Sequence, residues 1–140
     1  MKNLALFLCV LTLSLSSCGN DDDGNNSSQD SLIGSWELFQ TFINGDEVTL
    51  DICELMQTII VKSDGTFTVE SFEDNGSSCV SDGISNGIWE NLGNNSYKIT
   101  SDIGTEDEDA FTATFTFENN TFSIELVEGS DTLKQVFKRK

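Results

Sequence analysis

From Ile33 onward the chain alternates apolar and polar residues in short runs, each closed by some combination of Gly, Asn, Asp and Ser. The cleanest run is Ala110 to Phe117. It sets Phe111, Ala113, Phe115 and Phe117 on one face and Thr112, Thr114 and Thr116 on the other. That period of two is the mark of a half-buried strand. Thr121 to Val127 repeats it with Phe122, Ile124 and Leu126, and Thr132 to Lys138 with Leu133, Gln135 and Phe137. Upstream, Ile33 to Ile43 reads as a long first strand closed by Asn44-Gly45-Asp46, a hairpin signal. Thr58 to Lys62 is β-branched, and Thr66 to Phe72 returns with Phe67 and Val69 on one face. Ile84 to Glu90 and Ser96 to Thr100 complete the set. Between them, Glu73 to Gly83 reads as a polar loop and Ser101 to Asp109 as an acidic one. Asp51 to Gln57 fits either a short helical turn or a looped strand entry.

These eight runs, joined by short turns with no long helical pattern, predict an all-β domain. The expected architecture is an eight-stranded antiparallel up-and-down barrel. Eight strands enclose an interior that side chains can fill or that can hold one small ligand. The inward-facing Phe67, Phe111, Phe115, Phe117, Phe122 and Phe137 are therefore candidates for either a solid core or the lining of a ligand cavity. A weak internal echo runs through the domain. Gly34-Ser35-Trp36-Glu37 returns as Gly87-Ile88-Trp89-Glu90, and Thr66-Phe67-Thr68-Val69-Glu70 as Thr121-Phe122-Ser123-Ile124-Glu125. An old duplication and two strands meeting the same packing problem explain it equally well.

The first residues follow another logic. Lys2 precedes the apolar run Leu4 to Leu15, which ends in Leu15-Ser16-Ser17-Cys18. This is the layout of a secretory signal, and the run falls short of the about 20 residues a membrane span needs. A Cys at the cleavage point resembles a lipobox. The resemblance implies cleavage after residue 17 and acylation of Cys18, with palmitate-type chains anchoring the protein. One acyl chain holds only marginally; two or three hold firmly. Residues 18–30 then form the lipidated Cys and an acidic tether without apolar side chains, which is expected to be disordered. At about 5–6 Å times the square root of residue number, residues 19–30 reach roughly 20 Å. Asp21-Asp22-Asp23 just after the Cys resembles the surface-export signal of Bacteroidetes-type lipoproteins. That likeness implies the outer membrane and the cell surface. Residues 31–140 remain as one domain.

Composition narrows the chemistry. The chain carries 24 acidic and 7 basic residues, a formal charge of −17. A nucleic-acid partner, which needs a basic footprint, is disfavoured. There is no His, so His-dependent triads and zinc sites are excluded. Glu106-Asp107-Glu108-Asp109 lacks the Gly-turned spacing of a calcium loop and reads as solvated. No metal, cofactor or catalytic residue is expected, and the chain reads as a non-enzyme. Of four Cys, Cys9 lies in the signal and Cys18 at the lipidation point. Cys53 and Cys79 remain, and an even remainder in an exported chain reads as one disulfide.

At Leu32-Ile33-Gly34-Ser35-Trp36-Glu37-Leu38 the domain resembles the lipocalin-like domains. The ordered series Ile43-Asn44-Gly45-Asp46-Glu47, Lys62-Ser63-Asp64-Gly65-Thr66-Phe67 and Ser85-Asn86-Gly87-Ile88-Trp89 is similar to that of small bacterial lipocalin-like lipoproteins, and so is the placing of Cys53 and Cys79. The resemblance gives Gly34, Trp36, Gly87 and Trp89 structural roles, with Trp36 packing across the closed end. Ordinary lipocalins also carry an Arg near the last strand that stacks on this Trp. The only Arg here is Arg139, at the extreme end, and a second lipocalin signature is not visible. The resemblance implies binding of a small apolar or amphipathic ligand. The other reading is a surface module with a filled core that works through an envelope protein partner.

Overall fold

The computed structural model describes residues 29–140. The expected signal segment, the expected lipidation point Cys18 and nearly all of the expected tether lie outside the described residues. The strands are β1 (Gly34–Ile43), β2 (Asp46–Val48), β3 (Thr58–Val61), β4 (Thr66–Asp74), β5 (Cys79–Gly93), β6 (Ser96–Ser101), β7 (Asp109–Glu118), β8 (Thr121–Glu128) and β9 (Asp131–Arg139). A single 3-10 turn (Glu54–Met56) precedes β3. Each strand from β3 to β9 pairs antiparallel with the next, and β1 pairs with both β3 and β9. The eight strands β1 and β3–β9 thus close an up-and-down barrel, as the alternation predicts. Closure pairs each strand of the wall on both sides, where an open sheet would leave its two outermost strands half-paired.

β2 is a ninth strand that the pattern does not announce. It lies on the edge of β1 that β3 also uses. β3 pairs with Gly34 to Glu37, and β2 with Thr41 to Ile43. The 3-10 turn bridges the gap, where the Leu38 amide donates to the Gln57 carbonyl at 3.0 Å. Of the two readings of residues 51–57, the helical turn is the one that forms. β1 also bulges between Leu38 and Gln40 where it faces β9. The extra residue leaves both Phe39, 48% exposed, and Gln40 off the interior, and so brings Thr41 back to it.

Glu73 to Gly83 is not the polar loop expected. β4 runs on to Asp74 and β5 starts at Cys79, so the two strands extend as a hairpin beyond the wall. Cys53 and Cys79 are joined, with a Cα–Cα distance of 5.2 Å. The link ties this hairpin to the segment before β3. Cys53 is buried.

The core is centred on aromatic rings. Phe122 stacks on Phe115 at 5.4 Å and on Phe137 at 4.9 Å, and meets the edge of Trp36 at 4.8 Å. Two glycines keep their places for steric reasons. A side chain on Gly87 would collide with the Phe67 ring and the Thr100 carbonyl, and one on Gly34 with the Arg139 guanidinium.

Candidate functional site

One end of the barrel is shut by the chain that enters it. Trp36 is buried there, and its indole nitrogen donates to the Leu32 carbonyl at 2.8 Å. Arg139 stacks on Trp36 at 4.2 Å from the ring centroid. Its guanidinium also donates to the carbonyls of Ile33 and Ser31, each at 3.0 Å. The arginine position that the sequence placed at the extreme end therefore does reach the first Trp, because β9 pairs with β1 as far as Arg139 opposite Trp36.

Asp30, which the sequence assigns to the tether, belongs to this closure. Its carboxylate accepts from the Tyr97 hydroxyl at 2.8 Å, from the Leu32 amide at 2.8 Å and from the Asn91 amide group. Tyr97 is buried at the base of the interior. Burial above all, reinforced by the Asp30 carboxylate, pushes its phenol well above the ordinary tyrosine range. The sequence reading missed Tyr97, because Ser96 to Thr100 is too short to show which face turns inward.

Above this floor lies an apolar cavity of about 280 Å³. That sits at the lower edge of the roughly 300–1,000 Å³ typical of ligand pockets. Of the six candidate phenylalanines, Phe67, Phe111, Phe115, Phe122 and Phe137 line it. Phe117 is not among its lining residues. It packs beside Tyr97 and Phe122, with centroids 6.2 Å from each, near the end of β7 at the closed end. Trp36 also stays out of the lining. Trp89, expected to be structural, does both jobs: it lines the cavity, and its indole nitrogen donates to the Lys62 carbonyl at 3.0 Å. Both candidate glycines are close-packed.

No charged side chain lines the cavity. Its polar members are Gln57, Ser85, Ser101 and Gln135. All four belong to the mouth half, where β3 and β9 begin, β6 ends and β5 rises from the hairpin. Gln135 was legible in the alternation of its strand; Gln57, Ser85 and Ser101 carry no sequence signal that separates them from loop residues. Ser85 donates to the Asp102 carboxylate at 2.7 Å. Thr41 faces Gln135 across the β1–β9 pair. Its hydroxyl is buried and has no hydrogen-bond partner among the described residues.

Such an arrangement can enclose an apolar chain and meet a polar group at the rim. Among the described residues no three Cys, Asp or Glu side chains gather as a metal site. Among curated proteins, none matches this chain. A family model for the lipocalin-like domain matches residues 32–124. The match takes in the closed end with Trp36, the disulfide and most of the cavity wall, and the chain belongs to the lipocalin-like domain family.

Proposed function

We propose that this protein is a lipid-anchored envelope protein whose barrel binds a small apolar or amphipathic molecule without catalysis. The cavity carries the ligand part of the reading: about 280 Å³, walled by aromatic and aliphatic side chains, with polar groups confined to one end. Burying an apolar ligand there is favourable at about 25 cal/mol per Å². The anchor part rests on Leu15-Ser16-Ser17-Cys18, and delivery to the outer membrane and its surface on the acidic run that follows. Because the chain enters the barrel at its closed end, an anchor at Cys18 leaves the mouth on the far side from the tether.

Native mass spectrometry of protein purified gently from an exporting host tests the ligand. Extra mass matching a lipid or small metabolite, lost on collisional activation, is expected. Bare protein that also gains no thermal stability from a panel of amphiphiles would overturn the reading. For the anchor, Cys18→Ser should release the protein from membranes or stop its processing. A variant of mature size that still sediments with membranes would sink that part.

One observation favours a second reading, a surface module that docks a protein partner. Ile60, Ile84 and Ile88 are 42%, 63% and 49% exposed. The pairing of β3, β4 and β5 puts them on one patch of the outer wall, around Thr68 and Asn86. A partner that co-purifies with the wild type and is lost from Ile84→Lys would support it.

A further inference from the structure

We infer that the free edge of β5, where it runs beyond the barrel wall, docks an extended basic segment of another protein as an added strand. This goes beyond the cavity and its ligand and does not depend on them. It shares Ile84 with the outer-wall patch, but the contact is a backbone ladder rather than burial of side chains.

The starting point is a strand paired on one side only. β5 pairs with β4 from Cys79 to Ile88, but with β6 only from Gly87 to Gly93. β6 ends at Ser101, and Asp102 turns the chain away in the left-handed region, at φ 51°. The Asp102 amide makes the last contact with this edge, donating to the Asn86 carbonyl at 2.8 Å. Among the described residues, no strand pairs with residues 79–85 on the side away from β4. Residues 81–84 are exposed.

The backbone fixes the kind of occupant. Along an antiparallel strand, the amide and carbonyl groups of successive residues turn to opposite edges. Because the Asn86 carbonyl is turned to the β6 side, Ile84 presents its own backbone groups on that side too. An exposed row of such groups is a template for another strand. The occupant takes the place that β6 would hold if it continued past Asp102.

The side chains fix its character. An added strand points alternate residues to the two faces of the sheet. On the outer face they meet Ile84 and Ile103, 63% and 47% exposed, in a groove that continues over Ile88. Apolar residues at every second position suit that face. Charge sets the rest. Asp82 lies on the edge itself, and the connection leaving β6 carries Asp102, Glu106, Asp107 and Glu108. No Lys or Arg occurs between Lys62 and Lys98 or between Lys98 and Lys134. Lys62 lines the far end of the groove, where β3 turns into β4. Basic side chains are attracted to this edge and acidic ones repelled. The same charges oppose a second copy of this chain, which would bring its own Asp82 and acidic connection alongside.

The test is an NMR titration of the isotope-labelled full chain with peptides of about ten residues, long enough for one strand. One alternates Lys and Val, one alternates Glu and Val, and the last is the Lys-Val peptide N-methylated at every second residue. Methylation keeps charge and side chains and removes the ladder donors of one edge. The Lys-Val peptide is expected to bind about tenfold tighter than either of the others, shifting the amides of residues 79–86. Asp82→Lys should weaken it several-fold, whereas Glu128→Lys, at the end of β8, should change it little. Should the Asp82 variant fail to fold, the peptide comparison on the wild type still decides. Equal binding of the methylated peptide overturns the added strand and leaves the outer-wall patch standing. Tighter binding of the Glu-Val peptide overturns the basic character. The inference also fails if no peptide binds, or if the protein alone dimerises with the same amides shifted, which would give the edge to a second copy. None of these outcomes touches the cavity reading.

Discussion

Gly87 has no room for a side chain. The missing Cβ is the space that the Phe67 ring and the Thr100 carbonyl occupy. Gly87→Ala is expected to destabilise the barrel by roughly 1–3 kcal/mol through overpacking, read as a lower midpoint in urea. Tyr97 offers a pH-dependent test. The folded phenol titrates above its unfolded value of about 10, so the unfolded chain releases this proton first. The contribution is fully present below pH about 10 and is lost as pH rises beyond it. Tyr97→Phe removes that loss, because this is the only Tyr in the chain. Between pH 9 and 11 the variant's urea midpoint should fall less than that of the wild type. At neutral pH the same variant should be less stable by about 1–2 kcal/mol, for the lost hydrogen bond to Asp30.

The disulfide acts between elements. It closes a separation of 26 residues and ties the hairpin of β4 and β5 to the segment ahead of β3. The chain-entropy argument gives about 3.5 kcal/mol for such a loop. Cys53→Ala with Cys79→Ala should lower stability by up to that amount. Hydrogen exchange should rise first in residues 51–57 and 75–83, because their other ties to the wall are few. The elements differ in how readable they were. β7, β8 and β9 alternate clearly because one face meets the core and the other meets water. The hairpin tip of β4 and β5 reads as a loop in the sequence because it stands clear of the core. Most of Glu73 to Gly83 is exposed, so no alternation is imposed on it. β2 escaped notice because three residues hold too little pattern.

Over the whole molecule, charge is the largest imbalance. At −17 the chain repels itself, and this opposes compactness. Raising NaCl from about 20 to 300 mM should raise the melting temperature, since the Debye length at 0.1 M is already near 10 Å. A melting temperature that falls or stays level would show that screening is immaterial to this fold. The all-β barrel, the Cys53–Cys79 link and the inward set of Phe67, Phe111, Phe115, Phe117, Phe122 and Phe137 followed from sequence alone. Strand period and cysteine number are local properties, and the G-x-W series is a linear signal. Tertiary structure alone decided whether the barrel is hollow, because a cavity is the volume left over when all eight strands are packed, and no single strand encodes it. It likewise decided that Arg139 reaches Trp36 and that Asp30 seals the floor. Each of these contacts joins residues that only barrel closure brings together.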